Sequence, residues 1–346
     1  MKGIGLVILA MFALPNLAQP QVKDATKTHA NAPLKLVARI RLPGLHDGDF
    51  DHFAQDIEGH RLFLTAEENE KVLVFDTNTN KLVHTITDVK APHSALFRQD
   101  LKKLFVVDGD DSSVKIYDSD TYKQVGRVDL AADADSMAYD DATKYMYVVN
   151  GGRGAKTPYS FITAVDTTAF KKAKDIKVGS DRVEAMALEK NGSRLFCNIT
   201  GKDSVGVFDR NTGSLLATWP LPPGVKQNVS LALDEASHRL LVITRQPGRL
   251  VVLSSEDGKV IASVPAISMV DDVAYDGKQK RVYLAGDQFV DVLEQKDADH
   301  YDLLGRIPGS FRAKTAILVP ELHRYFLAVP HHGQKNAEVR VYEVQP

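Results

Sequence analysis

One motif written seven times limits what this chain can fold into. Its clearest copy runs from Asp51 to Ile86. Asp51-His52-Phe53-Ala54-Gln55-Asp56 reads as a short strand ending in an acid, and Arg61-Leu62-Phe63-Leu64-Thr65-Ala66 as an apolar strand after a polar turn. An acidic loop from Glu67 to Glu70 follows, then the strand Val72-Leu73-Val74-Phe75-Asp76, the turn Thr77-Asn78-Thr79-Asn80 and the strand Lys81-Leu82-Val83-His84-Thr85-Ile86. Short apolar runs parted by turn residues predict an antiparallel meander of four strands. One such sheet cannot hide both of its faces, so it needs neighbours of its own kind.

The residue that ends the third strand recurs at Asp76, Asp118, Asp166, Asp209, Ser254, Glu294 and Glu343, in steps of 42, 48, 43, 45, 40 and 49 residues. A four-strand repeat of about 40–50 residues predicts one propeller blade per copy. Helical solenoids are excluded, because no segment sustains a 3.6-residue apolar period. The seventh copy stops after its third strand. The missing strand stands at the other end: Lys35-Leu36-Val37-Ala38-Arg39-Ile40 matches Lys81-Leu82-Val83-His84-Thr85-Ile86. The expected fold class is therefore all-β, a seven-bladed β-propeller over residues 34–346, its last blade closed by the N-terminal strand. Closure leaves no broken blade interface between the first and last copies.

The residues before the ring read differently. Lys2 precedes Gly3 to Leu14, an apolar run too short for a permanent membrane span. Residues 1–18 are expected to be a secretory signal peptide with Ala18 as the cleavage residue, and residues 19–33, polar with Pro20 and Pro33, a flexible leader. No second segment approaches membrane-spanning length, so the mature chain is expected to be secreted or periplasmic, and monomeric. Export permits disulfides, but Cys197 is the only cysteine. Within Leu195-Phe196-Cys197-Asn198 it is expected to act as a small buried hydrophobe. A single cysteine excludes the Cys-x-x-Cys-His of a haem c site, and one tryptophan, Trp219, disfavours stacking around a planar quinone. Trp219 itself is expected to pack. A net charge of -2 removes the electrostatic footprint of a nucleic-acid binder. Lys171-Lys172-Ala173-Lys174-Asp175 reads as a solvated turn.

Tyr147-Val148-Val149-Asn150, followed by Gly151-Gly152, and the strand-Asp-Thr-x-x-strand pattern of Val72–Ile86 resemble the YVTN-repeat β-propeller family. The resemblance covers about residues 34–345. It implies the fold and leaves function open, since such propellers carry many activities. WD and kelch signatures are absent.

In a propeller the first strand of each blade lines the central channel. Aligned on the residue that ends each first strand, the positions two and three earlier are mostly apolar and suit packing of blade on blade. Five earlier stand Asp51, His93, Asp135, Glu184, Val229, Asp271 and Lys314, with Asn228 before the exceptional Val229. The next step gives His52, Ser94, Ser136, Ala185, Ser230, Asp272 and Thr315. Start-of-strand positions aim this ring at one channel mouth. Three uses suit it. It is a site for a small polar ligand or a protein partner. Or Asp51, His52, His93, Asp135, Glu184 and Asp271 hold a divalent cation such as Ca²⁺, Mg²⁺, Mn²⁺ or Zn²⁺. Or it holds ordered water and internal ion pairs, such as Lys314 with Glu184 or Asp271. The second-to-third-strand loops are expected at the same mouth. Asn150–Lys156 offers glycine N–H groups with Arg153 and Lys156 for an anion, and His331-His332 offers imidazoles, with His332 expected to matter if it lies near His93. The leading functional expectation is a non-catalytic binding or scaffold propeller. The alternative is a metal-assisted hydrolase or lyase, such as a lactonase, in which a cation polarises a carbonyl and Asp51, His52 or His93 acts as base.

Overall fold

The computed structural model describes residues 32–346. The expected signal peptide and nearly all of the expected leader lie outside the described residues. Within them the strands form seven four-stranded antiparallel sheets. Six sheets take four consecutive strands each. The seventh is ordered Leu34–Leu42, Ala337–Val344, Arg324–Val329, Thr315–Val319, so the N-terminal strand completes the last blade as expected. Leu34 pairs with Val344 and Leu42 with Ala337.

Burial follows position in the blade. Second and third strands are covered on both faces, as in Arg61–Ala66 and Lys71–Asp76, because each is sandwiched between neighbouring blades. The third residue of the second strand is Phe63, Phe105, Tyr147, Phe196, Leu241, Tyr283 or Phe326, and none is more than 2% exposed. These large side chains wedge one blade against the next. The apolar clusters accordingly straddle blade boundaries: Phe53, Leu64 and Phe75 of the first blade pack with Phe326, Val339 and Val341 of the last, together with Ile40. Cys197 and Trp219 are buried as expected. Trp219, on the outer strand of the fourth blade, sits beneath a turn of the fifth. Gly258, at φ +75°, closes that turn, and a Cβ there would stand 2.1 Å from Trp219 Cγ. Gly258→Ala is expected to cost about 2 kcal/mol through left-handed strain and overpacking, read as a lower urea midpoint at unchanged slope.

The fourth strands form the outer wall, and they expose apolar residues such as Val83 and Leu215. Each pairs through a register shift, for example between Val74 and Phe75 against Lys81–Ile86. A bulge in every outer pair twists the free edge and blunts its tendency to recruit another strand. Lys171–Val178 is one of these outer strands, which corrects the solvated-turn expectation. Lys171, Lys172 and Lys177 are exposed along this outer edge, where a strand tolerates charge on its free side, while Lys174 Nζ bonds the carbonyls of Arg210 and Asn211.

Candidate functional site

The innermost residues of the seven blades enclose a cavity of about 370 Å³. Three successive residues from each of six blades line it: 51–53, 93–95, 135–137, 184–186, 229–231 and 271–273, joined by Lys314 of the seventh. The first residue of each triplet is mostly charged and the third is apolar, so the cavity has a charged mouth over a floor of Phe53, Met137, Met186, Leu231 and Val273. Backbone pairing continues past the strand ends and pins these side chains. Asp51 N–H donates to Thr65 O at 3.1 Å, Asp135 to Val149 O at 2.9 Å and Glu184 to Asn198 O at 2.9 Å. Thr65 Oγ1 bonds the carbonyls of both His52 and His93, tying the first blade to the second.

Two imidazole–carboxylate pairs dominate one side. His93 Nδ1 lies 2.6 Å from Asp51 Oδ2, and His52 Nδ1 lies 2.8 Å from Asp272 Oδ1. His52 Nε2 is a further 3.5 Å from Asp51 Oδ1. Burial by itself would raise the pKa of Asp51, but the two imidazoles beside it prevail and bring it down to about 2. Burial opposes protonation of His93, yet its bond to Asp51 and the charges of Asp135 and Glu67 push it up to about 10. His52 is likewise raised against burial by Asp51 and Asp272. Both rings are thus imidazolium at neutral pH. Burial lifts the carboxyl of Asp272, partly offset by His52, and that of Glu67, partly offset by His93.

Opposite, Arg245 and Lys314 both bond Asp271. Lys314 also lies 3.4 Å from Asp49, which Arg312 bonds as well. The remaining acids are poorly matched. Asp135 comes no nearer a cation than 3.7 Å, at His93 Nδ1, and Glu184 faces Arg182 Nε at 3.4 Å. Burial, then the neighbouring Asp51, raises Asp135 to about 6; burial, then Asp135 itself, raises Glu184 to about 7. In the folded chain these two hold protons at pH values where the unfolded chain has released them. Their stabilising contribution is present at low pH and lost as pH rises through about 6 and 7. Asp135→Asn/Glu184→Gln is therefore expected to be more stable than the parent by about 1–3 kcal/mol near pH 8 and unchanged near pH 4, measured by urea unfolding at both.

The structure brings Asp51, His52, His93, Asp135, Glu184, Asp271, Asp272 and Lys314 to one cavity. It removes three expected residues. Asn228 turns away from the mouth and bonds Asn198 Oδ1 at 2.7 Å and Ser204 O at 2.9 Å, fully buried between blades. Its neighbour Val229 takes the ring position. Arg153 lies on the surface against Asp181 at 3.2 Å. The N–H groups of Gly151, Gly152, Arg153, Gly154 and Lys156 are spent on Ala132, Tyr159, Asp181, Asp133 and Arg153, so that loop offers no anion cradle. His332 stacks on Phe311 at 4.2 Å and does not line the cavity. Lys314 pairs with Asp271, not with Glu184. Glu67 and Arg245 enter the site unforeseen, both from the end of a second strand. Arg245 supplies the charge that Val229 withholds, and that single apolar interruption of the ring is the signal pointing to it.

No protein-family model matches the chain, and no curated protein matches it. Among solved structures it is similar to a chain of Kuenenia stuttgartiensis hydrazine synthase, with a TM-score of 0.71 and 15% identity over 86% of this chain and 98% of that one. It is also similar to a chain of the mitotic checkpoint complex, with a TM-score of 0.74 and 14% identity over 97% of this chain and 99% of that one. At such identities the likeness is one of architecture, and by architecture the chain is a seven-bladed β-propeller.

Proposed function

We propose that this propeller binds a small polar molecule in its central cavity, as an exported binding or scaffold protein. The observation that carries this is the cavity itself: about 370 Å³, within the range of small-molecule sites, with an apolar floor and convergent charged groups at its mouth. Export rests on residues 1–18 as a signal, and the mass of the mature protein from the periplasm or medium tests it. For binding, melting of the pure protein is followed across a metabolite panel. A ligand at about 100 times its Kd adds about 2.7 kcal/mol, or about 4 °C for a chain of this size. Absence of any shift across a chemically broad panel would defeat the reading, as would rapid turnover of a panel member.

A second reading has its own observation. Asp51, His52 and Asp135 offer ligand atoms all within 4.8 Å of one another, as do Asp51, Glu67 and His93. A cation there would polarise a bound carbonyl in a hydrolase or lyase reaction. At either group it would first have to displace the proton held on that group's imidazole, since only a neutral imidazole ligates. Elemental analysis of protein prepared without chelators, followed by activity assays with added metal, decides this: no bound metal and no activity removes it.

A further inference from the structure

Hydrogen-bonding capacity around the cavity is spent unevenly. On the side of the fifth, sixth, seventh and first blades the polar groups satisfy one another. Arg245 and Lys314 share Asp271, while Asp272 accepts from His52 and from the Ala316 N–H. The hydroxyls there are used between blades as well: Ser230 donates to Asp271 O and Thr315 to Phe50 O.

The second, third and fourth blades differ. Ser94 is 2% exposed and Ser136 8% exposed, both line the cavity, and neither hydroxyl has a hydrogen-bond partner among the described residues. They occupy the same register as Ser230 and Thr315 but tie no blade to its neighbour. Directly before them stand His93 and Asp135, and the next blade adds Glu184. His93 is committed to Asp51, so Asp135 comes no nearer a cation than 3.7 Å, and Glu184 accepts a single long bond, from Arg182 Nε at 3.4 Å. Buried polar groups normally find partners, so two buried serines whose hydroxyls have none, on the wall that also carries Asp135 and Glu184, mark where an occupant belongs.

We infer that the cavity's occupant is a small organic cation, a primary ammonium held between Asp135 and Glu184 with the hydroxyls of Ser94 and Ser136 accepting or relaying its remaining hydrogen bonds. This deepens, and rests on, the reading of the cavity as a ligand site. Two features of the wall favour an ammonium. Ionised carboxylates only accept hydrogen bonds, and an ammonium brings three donors, whereas an anion would face both carboxylates. Glu184 belongs to neither group of side chains close enough to share a metal ion, while N–H donors reach carboxylates set further apart.

The test is titration calorimetry on the full chain with putrescine, ethanolamine, choline and glycerol, and in separate runs with Ca²⁺ and Mg²⁺. Putrescine or ethanolamine is expected to bind, and choline at least tenfold more weakly, because its nitrogen carries no hydrogen. Asp135→Asn and Glu184→Gln are each expected to weaken ammonium binding tenfold or more, and Ser94→Ala/Ser136→Ala three- to tenfold. Melting curves establish that each variant is folded. Binding of the metals alone, or ammonium binding unaltered in Asp135→Asn and Glu184→Gln, overturns the assignment. If neutral or anionic panel members stabilise the protein and the amines do not, the cation assignment fails while the cavity reading stands. If nothing binds, both fail.

Discussion

A chain beginning at residue 43 will not fold cooperatively, whereas one beginning at Ala32 will melt like the full sequence. Residues 34–42 are the outer strand of the last blade, paired along its length with Ala337–Val344. Leu34, Ile40 and Leu42 are at most 6% exposed, and each contributes about 1.5–3 kcal/mol by burial. Their loss alone approaches the whole stability of an ordinary domain, about 5–15 kcal/mol. It also uncovers Val339 and Val341, which join the first and last blades in one apolar cluster. Circular dichroism melting and urea unfolding of the two truncations check this. Relocating the strand should restore folding. Leu34 lies opposite Val344, and Gln345 N–H already bonds Pro33 O at 2.9 Å, so a short turn from Pro346 into residues 34–42 makes a hairpin of the existing pair. A 43–346 chain melting cooperatively within a few degrees of the parent would show that the ring needs no closing strand.

Asp51→Asn is expected to lower the pKa of His93 by at least two units from its value of about 10. The substitution keeps the shape of the side chain but removes the charge lying 2.6 Å from His93 Nδ1 and 3.5 Å from His52 Nε2. Asp135 and Glu67 would remain as more distant counter-charges, at 3.7 and 3.9 Å, without the hydrogen bond to a carboxylate. Imidazole proton resonances followed against pH measure the shift directly, and an unchanged His93 would contradict the assignment. Stability should follow with a definite sign. His93, raised above its ordinary 6.5, contributes stability that is complete below about 6.5 and lost as pH rises through about 10. Asp51, depressed to about 2, contributes stability present above 3.8 and lost as pH falls through about 2. The variant should lose the acid slope of Asp51, and the His93 slope should move to lower pH. Near neutral pH it should be less stable by about 3 kcal/mol, because two half-buried cations lose a shared partner.

The fold was legible because a propeller repeats its reasons. Each blade needs the same apolar second and third strands, so the pattern appears once every 40–50 residues, and the missing strand of the seventh copy could be found by matching Lys35–Ile40 to Lys81–Ile86. The ring register was legible too: residues five before the end of each first strand meet at one cavity because antiparallel pairing fixes which way each side chain points. Asn228 shows the limit of that reading. It sits beside the right position, but with side chains alternating between the faces of a strand, a shift of one residue turned it into the blade interface. Glu67 and Arg245 show another limit, since they reach the cavity from second strands whose ends no first-strand alignment tracks.

Sequence by itself therefore determined the architecture, its closure and most of the residues at the mouth. Only tertiary structure decided which charges are spent. Arg245 and Lys314 neutralise Asp271, and His52 and His93 are held by Asp272 and Asp51, while Ser94 and Ser136 have no partner among the described residues, Asp135 has no cation nearer than 3.7 Å and Glu184 has only the long bond from Arg182. Strand periodicity is a local property that each blade writes for itself. Partnership at the mouth depends on distances of a few ångströms between side chains of different blades, 26 to 220 residues apart in these pairs, and no single repeat contains that information.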